Sequence, residues 1–411
     1  MQQNNRQSYL DWLRMLAIIG VLFFHSAQPF ASENNWHIMN NKTSDLFTEF
    51  TFWLSRFRMP LLFFISGAVT YFILKKKTVT QFVGLRFQRL IVPLIFSMLV
   101  IVPPQVYLER LNQGFEGSFF DFYPTIFKGE AYPNGNTSWH HLWFIAYLFV
   151  YDIVAAPLFG WLTSAKAEVF IKKLDWLAKG KRIYLLTLPG IIVFSSLVLK
   201  YPQTNDLVHD YTYLPYFFMF FVPGFICIRN PKLMDSIEHT RRTSLLIAFL
   251  SIILINYTRW NDIAMDKVIS NWGTNPLTYL YLSIYPIIAW SWVFALVGYG
   301  KKYLNKTHKA LPYINQVVYP FYILHQTVIV ILAYYVVKTT DNIESKYFFI
   351  VTVTFILCIA AFHLLVRPYK ITRFLFGMKE QKDVAAKKIS ILVRSTLEKE
   401  ILMEATVRNS R

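Results

Sequence analysis

The stretch "RMLAIIGVLFFHS", residues 14–26, is an apolar run with Arg14 at its start and His25 near its end. Nine further apolar runs follow, and a membrane-spanning helix needs about 20 such residues. The ten runs lie at 13–30, 50–74, 88–107, 139–160, 183–200, 212–228, 243–259, 276–299, 315–337 and 347–366. This pattern predicts an all-α fold, a polytopic integral membrane bundle of about ten transmembrane helices.

The low fraction of charged residues supports a membrane protein, and the distribution of Lys and Arg predicts its orientation. Only 16% of the 411 residues are charged, whereas a soluble domain has about 25%. Of the 42 Lys and Arg residues, 30 lie in 75–90, 162–182, 229–242, 301–309 and the tail 367–411. The positive-inside rule places these segments and both termini in the cytoplasm. We therefore expect a multi-pass protein of the plasma membrane, or of the inner membrane in a Gram-negative source, and no nucleic-acid partner.

The chain is expected to form one transmembrane domain, residues 1–377, followed by a basic amphipathic cytoplasmic tail, residues 378–411. The first run is expected to be retained as a span, because Asp11 precedes it and nine further runs follow. Cys227 and Cys358 both lie within predicted spans and indicate no disulfide framework.

Arg14 and His25 have a defined relation on the first predicted helix. At 1.5 Å and 100° per residue, they are separated by about 16 Å along the axis and about 20° around it. Arg14 then lies at the cytoplasmic boundary, where Asp11 can pair with it, and His25 lies in the outer half of the bilayer. Arg14 could serve simply as a topology anchor, and His25 could simply form a hydrogen bond to a neighbouring helix. However, ionisable residues deep in a membrane usually mark a function.

Other predicted spans carry polar or aromatic residues at or near the level of His25, namely Arg58, His141, Trp143, Tyr322 and His325. Further in on the second span, Ser66 and the following glycine favour close helix packing. Histidines on three spans predict a shared polar interior. A metal could use them with Asp45 or Glu33, but no HxxxH or HExxH pair occurs on one helix, so we expect no metal site.

Two further features have competing interpretations. Arg86 and Arg89, three residues apart at the cytoplasmic start of the third span, could clamp phosphates or serve only as positive-inside charge. The aromatic loop 108–138 suits either a sugar-binding rim or an interfacial aromatic belt.

Taken in order, these motifs resemble the membrane-bound acyltransferase family 3, whose members O-acylate extracytoplasmic glycans and related acceptors. The matching stretches are "LDWLR" (10–14), the Arg14–His25 spacing, "FFISG" (63–67), Arg86 with Arg89, "HLWF" (141–144) and "YILH" (322–325). The middle of the chain, 165–310, matches only as hydrophobic spans. "WHIMN" (36–40), "FRMP" (57–60) and "HHLWF" (140–144) are most similar to the glucan biosynthesis protein C group, which succinylates periplasmic glucans.

The resemblance implies an O-acyltransferase that moves an acetyl or succinyl group from cytosolic acyl-CoA to a glycan hydroxyl outside. Acyl-CoA is then a co-substrate, with no bound cofactor, and the other partners are the extracytoplasmic glycan and the lipid bilayer. The implied catalytic residues are His25, Arg58 and His141, the acyl-CoA site is Arg14, Arg86 and Arg89, and the supporting residues are Asp11, Ser66, Trp143, Tyr322 and His325. Many members carry an appended extracellular hydrolase-like domain that shares in acyl transfer. This chain is expected to end in a short cytoplasmic tail instead, so catalysis is expected within the membrane domain.

The competing class is a proton-coupled transporter or flippase, because deep histidines and arginines also mark proton and anion pathways. Such proteins carry broken helices in corresponding halves. Pro223 and Gly224 in the sixth span are one candidate break, without a counterpart in the first half. The sequence leaves open whether a homo-oligomer forms.

Overall fold

The computed structural model describes residues 7–33 and 36–379 of the chain, which therefore include only the first two residues of the predicted tail. The described residues form α-helices and no β-strand. The helices of the first half are α1 Ser8–Ala27, α2 Asp45–Leu74, α3 Val79–Arg86, α4 Val92–Val100, α5 Pro103–Asn112, α6 Phe119–Phe122, α7 Trp143–Thr163 and α8 Glu168–Lys173. Those of the second half are α9 Leu188–Leu197, α10 Tyr213–Arg229, α11 Pro231–Trp260, α12 Met265–Val268, α13 Pro276–Leu282, α14 Ile284–Tyr303, α15 Leu311–Val336, α16 Ile343–Ala361 and α17 Lys370–Leu375.

Eight helical stretches of the described chain are long and apolar enough to cross a membrane. They are Ser8–Phe30, Asp45–Leu74, Val79–Asn112, His140–Thr163, Pro231–Trp260, Pro276–Tyr303, Leu311–Val336 and Ile343–Val366. The other two predicted spans form shorter apolar helices, Arg182–Leu197 and Tyr213–Arg229. The predicted all-α, polytopic membrane bundle is confirmed, and the predicted orientation of its termini stays a prediction.

The third stretch is irregular where α3 meets α4. A π-turn covers Phe87–Ile91, and Pro93 has no N–H to donate to the Arg89 carbonyl four residues earlier. The Tyr319 hydroxyl of α15 donates to that carbonyl instead, at 3.1 Å. The joint between α3 and α4 is thus fastened to α15.

Two glycines set the crossing of α2 and α10. A Cβ on Gly67 would lie 1.9 Å from the Phe221 carbonyl oxygen, and a Cβ on Gly224 would lie 2.1 Å from that of Phe64. Only glycine allows this approach, so the predicted close packing after Ser66 is confirmed. The predicted break at Pro223 is wrong, because α10 continues through it, and membrane helices tolerate an internal proline.

The bundle has two distinct ends. The loop end contains residues 28–33, 36–44 and 113–142, from the connections between α1 and α2 and between α5 and α7. Phe120 and Phe127 of its aromatic loop are exposed, which suits both interpretations of that loop. We call the opposite end the arginine end, because it contains Arg14 near the start of α1, Arg86 at the end of α3 and Arg89 in the following π-turn. The start of α15 lies at the same end.

Candidate functional site

Three histidines from three elements meet inside the bundle. His25 lies in the last turn of α1, His141 in the 3₁₀ turn before α7, and His325 in α15. The ring centroid of His325 lies 5.3 Å from that of His25 and 5.1 Å from that of His141. We call these residues the histidine cluster. The predicted shared polar interior is therefore present.

Backbone carbonyls fix the tautomers of two of these rings. His141 Nε2 lies 3.1 Å from the Ile323 carbonyl, and His325 Nδ1 lies 2.6 Å from the Tyr322 carbonyl. Because a carbonyl oxygen only accepts, each of these nitrogens donates, and the other nitrogen of each ring is an acceptor. Those acceptors, together with His25 Nδ1, are buried without a hydrogen-bond partner among the described residues. The cluster thus offers basic nitrogens to a proton donor.

Tyr322 also positions His141 directly, because its hydroxyl donates to the His141 backbone carbonyl. The predicted supporting residue therefore ties α15 to the turn before α7. Since both ring-fixing carbonyls also belong to α15, this one helix orients His141 and His325 together.

Arg58 of α2 brings a positive charge to the same level. Its Cζ atom lies 3.3 Å from the ring centroid of Phe24, the neighbour of His25. Its Nε and Nη1 atoms are buried, and the described residues give them no hydrogen-bond partner. A buried guanidinium without a carboxylate partner is costly, and its positive charge would favour a negatively charged group beside it.

Two predicted supporting residues contact other parts of the bundle. The Trp143 ring stacks on Phe217 of α10, with centroids 5.6 Å apart. The Ser66 hydroxyl donates to the Leu62 carbonyl of its own helix at 2.7 Å. The first contact joins α7 to α10, the second lies within α2, and neither joins the histidine cluster.

Arg14 confirms the predicted face of α1. Its guanidinium donates to Asn315 of α15, and it lies 3.8 Å from Asp11. His25, at the other end of α1, meets His325 of the same α15. Arg14 and His25 therefore both face α15, as their helical spacing predicts.

Arg86 has a partner that the sequence analysis missed. Its Nε atom lies 3.0 Å from Oδ2 of the fully buried Asp152 in α7, and its Nη2 atom donates to Thr70 at 2.7 Å. Asp152 could have been found, because an aspartate within an apolar span is a functional candidate in itself. The ion pair with Asp152 holds Arg86 at the arginine end. The predicted clamping of phosphates by Arg86 and Arg89 stays a prediction.

We expect Asp152→Asn to destabilise the protein by about 3–5 kcal/mol, because it leaves the Arg86 charge without compensation. The measurement is thermal unfolding in detergent. The double variant Arg86→Met/Asp152→Leu should recover most of the loss, since it removes both charges. A single variant as stable as the wild type would show that this pair does not hold α3 to α7.

The two carboxylates considered as further metal ligands beside the histidine cluster lie elsewhere. Glu33 pairs with Arg259 of α11, and Asp45 is exposed at the start of α2. Neither carboxylate joins the histidines in the described structure.

A second polar group, which the sequence analysis did not select, lies at the loop end. His37, Glu109 and His140 converge there, and we call them the loop triad. The Tyr132 hydroxyl donates to Glu109 at 2.9 Å. Burial and the Glu109 carboxylate raise the pKa of Tyr132, so its phenol stays protonated and keeps donating. "WHIMN" and "HHLWF" were quoted for the family resemblance, but nothing in their spacing indicates this contact.

A groove of about 800 Å³ on this protein does not coincide with the histidine cluster. It lies among Lys179, Arg182, Trp290 and neighbouring residues, and its lining includes none of the histidine cluster. We therefore place the candidate site at the converging polar groups.

Eight apolar helical stretches around converging buried polar groups define a multi-pass membrane protein with a polar interior. Residues 7–364 match the family described as "Acyltransferase domain", so the chain belongs to that family. The match spans the histidine cluster, Arg58 and the three arginines at the arginine end.

Curated relatives carry the name "Glucans biosynthesis protein C". The chain is 23% identical to the protein of Salmonella schwarzengrund over 267 residues, which is 61% of this chain and 66% of the relative. It is 23% identical to that of Salmonella typhi over 275 residues, with the same coverage, and 26% identical to that of Salmonella paratyphi B over 161 residues, 38% of this chain and 40% of the relative. The chain thus covers just under two thirds of the first of these relatives. No solved structure matches it.

Proposed function

We propose that the chain moves an acetyl or succinyl group from cytosolic acyl-CoA to a hydroxyl of an extracytoplasmic glycan or another cell-envelope acceptor. The observation that carries the proposal is the convergence of three histidine nitrogens beside Arg58, none of which finds a hydrogen-bond partner or a carboxylate among the described residues. The family supports acyl transfer, and the name of the relatives favours a glucan as acceptor.

The two substrates would approach from opposite sides. A charged nucleotide thioester does not cross hydrocarbon, so the donor would bind at the arginine end, which the positive-inside rule places in the cytoplasm. Arg14, Arg86 and Arg89 would hold its phosphates there. The pantetheine arm would then reach inward along the face of α1 that runs from Arg14 to His25. The acceptor would enter from the loop end.

The proposed step is direct. The acceptor hydroxyl gives its proton to His25 Nδ1 as its oxygen attacks the thioester carbonyl. The new C–O bond forms, the C–S bond breaks, and the departing thiolate takes the proton from the histidine. Arg58 stabilises the negative oxygen formed in between. His141 acts on His25 through His325, whose ring contacts both. In a second route His25 attacks the thioester and the CoA thiolate leaves. The acceptor hydroxyl then takes the acyl group from the histidine, and its proton goes to the thiolate.

The test is a reaction of the purified full chain in detergent with acetyl-CoA or succinyl-CoA and a glucan. The expected result is release of the CoA thiol together with an acyl ester on the glucan, detected by mass spectrometry. Transport of a substrate into proteoliposomes without thiol release would favour the transporter class and overturn the proposal.

A further inference from the structure

We propose that the loop triad, His37, Glu109 and His140, is a Zn²⁺ site at the loop end of the bundle. The residues come from the loop after α1, the last turn of α5 and the 3₁₀ turn before α7. One ligand atom from each residue lies within 4.8 Å of the others. The proposal is independent of the proposed acyl transfer and departs from the sequence-based expectation of no metal.

The donor set has the chemistry that zinc prefers. Two imidazole nitrogens and one carboxylate oxygen form a known Zn²⁺ ligand set, which leaves one tetrahedral position for water or a substrate oxygen. His37 Nδ1 already contacts Glu109 Oε2, and the rings of His37 and His140 have centroids 4.5 Å apart. The side chains of His37 and Glu109 are 9% and 5% exposed, so bulk water competes little for them.

An ion pair between His37 and Glu109 would explain only part of this geometry. His140 also belongs to the group, and its Nε2 atom is buried without a hydrogen-bond partner among the described residues. Its Nδ1 atom lies 3.1 Å from the Ser138 hydroxyl, which can fix the ring. A metal ion accounts for the orphaned nitrogen, because it binds an unprotonated imidazole directly.

The backbone at His140 supports the same assignment. Its φ is +42°, a left-handed conformation that is rare for residues other than glycine. Such strain persists where the surrounding structure requires it, often at binding sites. Here it places the His140 ring against both His37 and Tyr132, with the Tyr132 centroid 4.8 Å away.

Outer groups hold the proposed ligands as they do in known zinc sites. The second oxygen of Glu109 accepts from Tyr132 at 2.9 Å and from Gln113 at 3.2 Å. His37 Nε2 lies 3.2 Å from Nε2 of Gln326, which follows His325 in α15. Rotated by 180°, the Gln326 amide would offer its oxygen to the Nε2–H of a zinc-bound His37. The ion would therefore fix the loop after α1 directly beside the histidine cluster.

The test measures zinc on the purified full chain in detergent. After removal of loosely bound metal, the protein is incubated with Zn²⁺ and analysed by mass spectrometry for metal content and by competition with a chelator for affinity. We expect about one zinc per chain, with at least a tenfold loss of affinity in His140→Ala. His209→Ala is the matched control, because His209 is an exposed loop histidine beside Asp206, and it should keep full binding.

Glu109→Gln keeps the ligand's shape without its charge, so it tests the site even where His140→Ala folds poorly. Zinc should raise the thermal unfolding temperature of the wild type and of His209→Ala, but not that of Glu109→Gln. Equal zinc content in wild type and both site variants would overturn the proposal. His25→Ala should bind zinc normally, so loss of acyl transfer and loss of zinc are distinguishable outcomes.

Discussion

His25→Ala is expected to lower the turnover of acyl transfer by about 10²–10⁴-fold, the range that general base catalysis contributes. His25 Nδ1 is buried without a hydrogen-bond partner among the described residues, and in the Nε2–H tautomer its lone pair is available to the acceptor hydroxyl. Its neighbours His325 and Arg58 belong to the site, but neither forms a hydrogen bond to that nitrogen. The measurement is ester formation on the acceptor by purified protein at saturating acyl-CoA.

His209→Ala is the control for this variant, because it removes an exposed histidine from a loop. Thermal unfolding in detergent verifies that both proteins are folded. If His25→Ala keeps more than about a tenth of wild-type turnover, His25 is not the base, since the smallest effect in the expected range is about a hundredfold.

The same variant separates the two routes of transfer. A single turnover with labelled acyl-CoA and no acceptor is quenched and the protein is analysed for bound label. Label on the wild type that is absent from His25→Ala indicates the acyl-histidine route. An unlabelled wild type that still transfers to added acceptor indicates direct attack.

The sequence predicted the parts of this fold that depend on hydropathy and helical period. Apolar runs located the helices, including the two shorter ones. The 3.6-residue period placed Arg14 and His25 on one face, which the structure confirms through their contacts with α15. Depth in the predicted bilayer brought His141 and His325 to the level of His25, and their rings do meet.

What the sequence did not predict depends on how the helices are rotated and joined. Depth alone does not select a partner, so the pairing of Arg86 with Asp152 was missed although each residue is individually conspicuous. The π-turn before Pro93 also changes the register of Arg89 relative to Arg86. The loop triad was missed because irregular loops have no period, and its members His37 and Glu109 are 72 residues apart.

Arg58→Gln is expected to lower turnover by about 10²–10³-fold, the usual effect of removing one oxyanion donor. The Arg58 guanidinium lies over Phe24 and beside the base, and its Nε and Nη1 atoms are unpartnered in the described structure. Because the negative oxygen exists only near the transition state, turnover should fall much more than the Michaelis constant for acyl-CoA rises.

Arg56→Gln is the matched control, two residues earlier on α2. The Arg56 guanidinium lies over Phe52 and donates to Ser55, so its removal should leave turnover within a few-fold of wild type. Equal turnover in Arg56→Gln and Arg58→Gln would contradict an oxyanion role for Arg58.

Stability gives the second test of Arg58, because a catalytic and a structural role predict opposite changes. Its contact with Phe24 is worth about 0.5–2 kcal/mol, whereas burial of an uncompensated ion costs several kcal/mol. Removing the charge with Arg58→Met should therefore leave the thermal unfolding temperature unchanged or raise it, while turnover falls. A lower unfolding temperature together with the loss of turnover would assign Arg58 to the packing of α1 against α2. A more stable but inactive variant would show that the buried charge is kept for catalysis at the expense of stability.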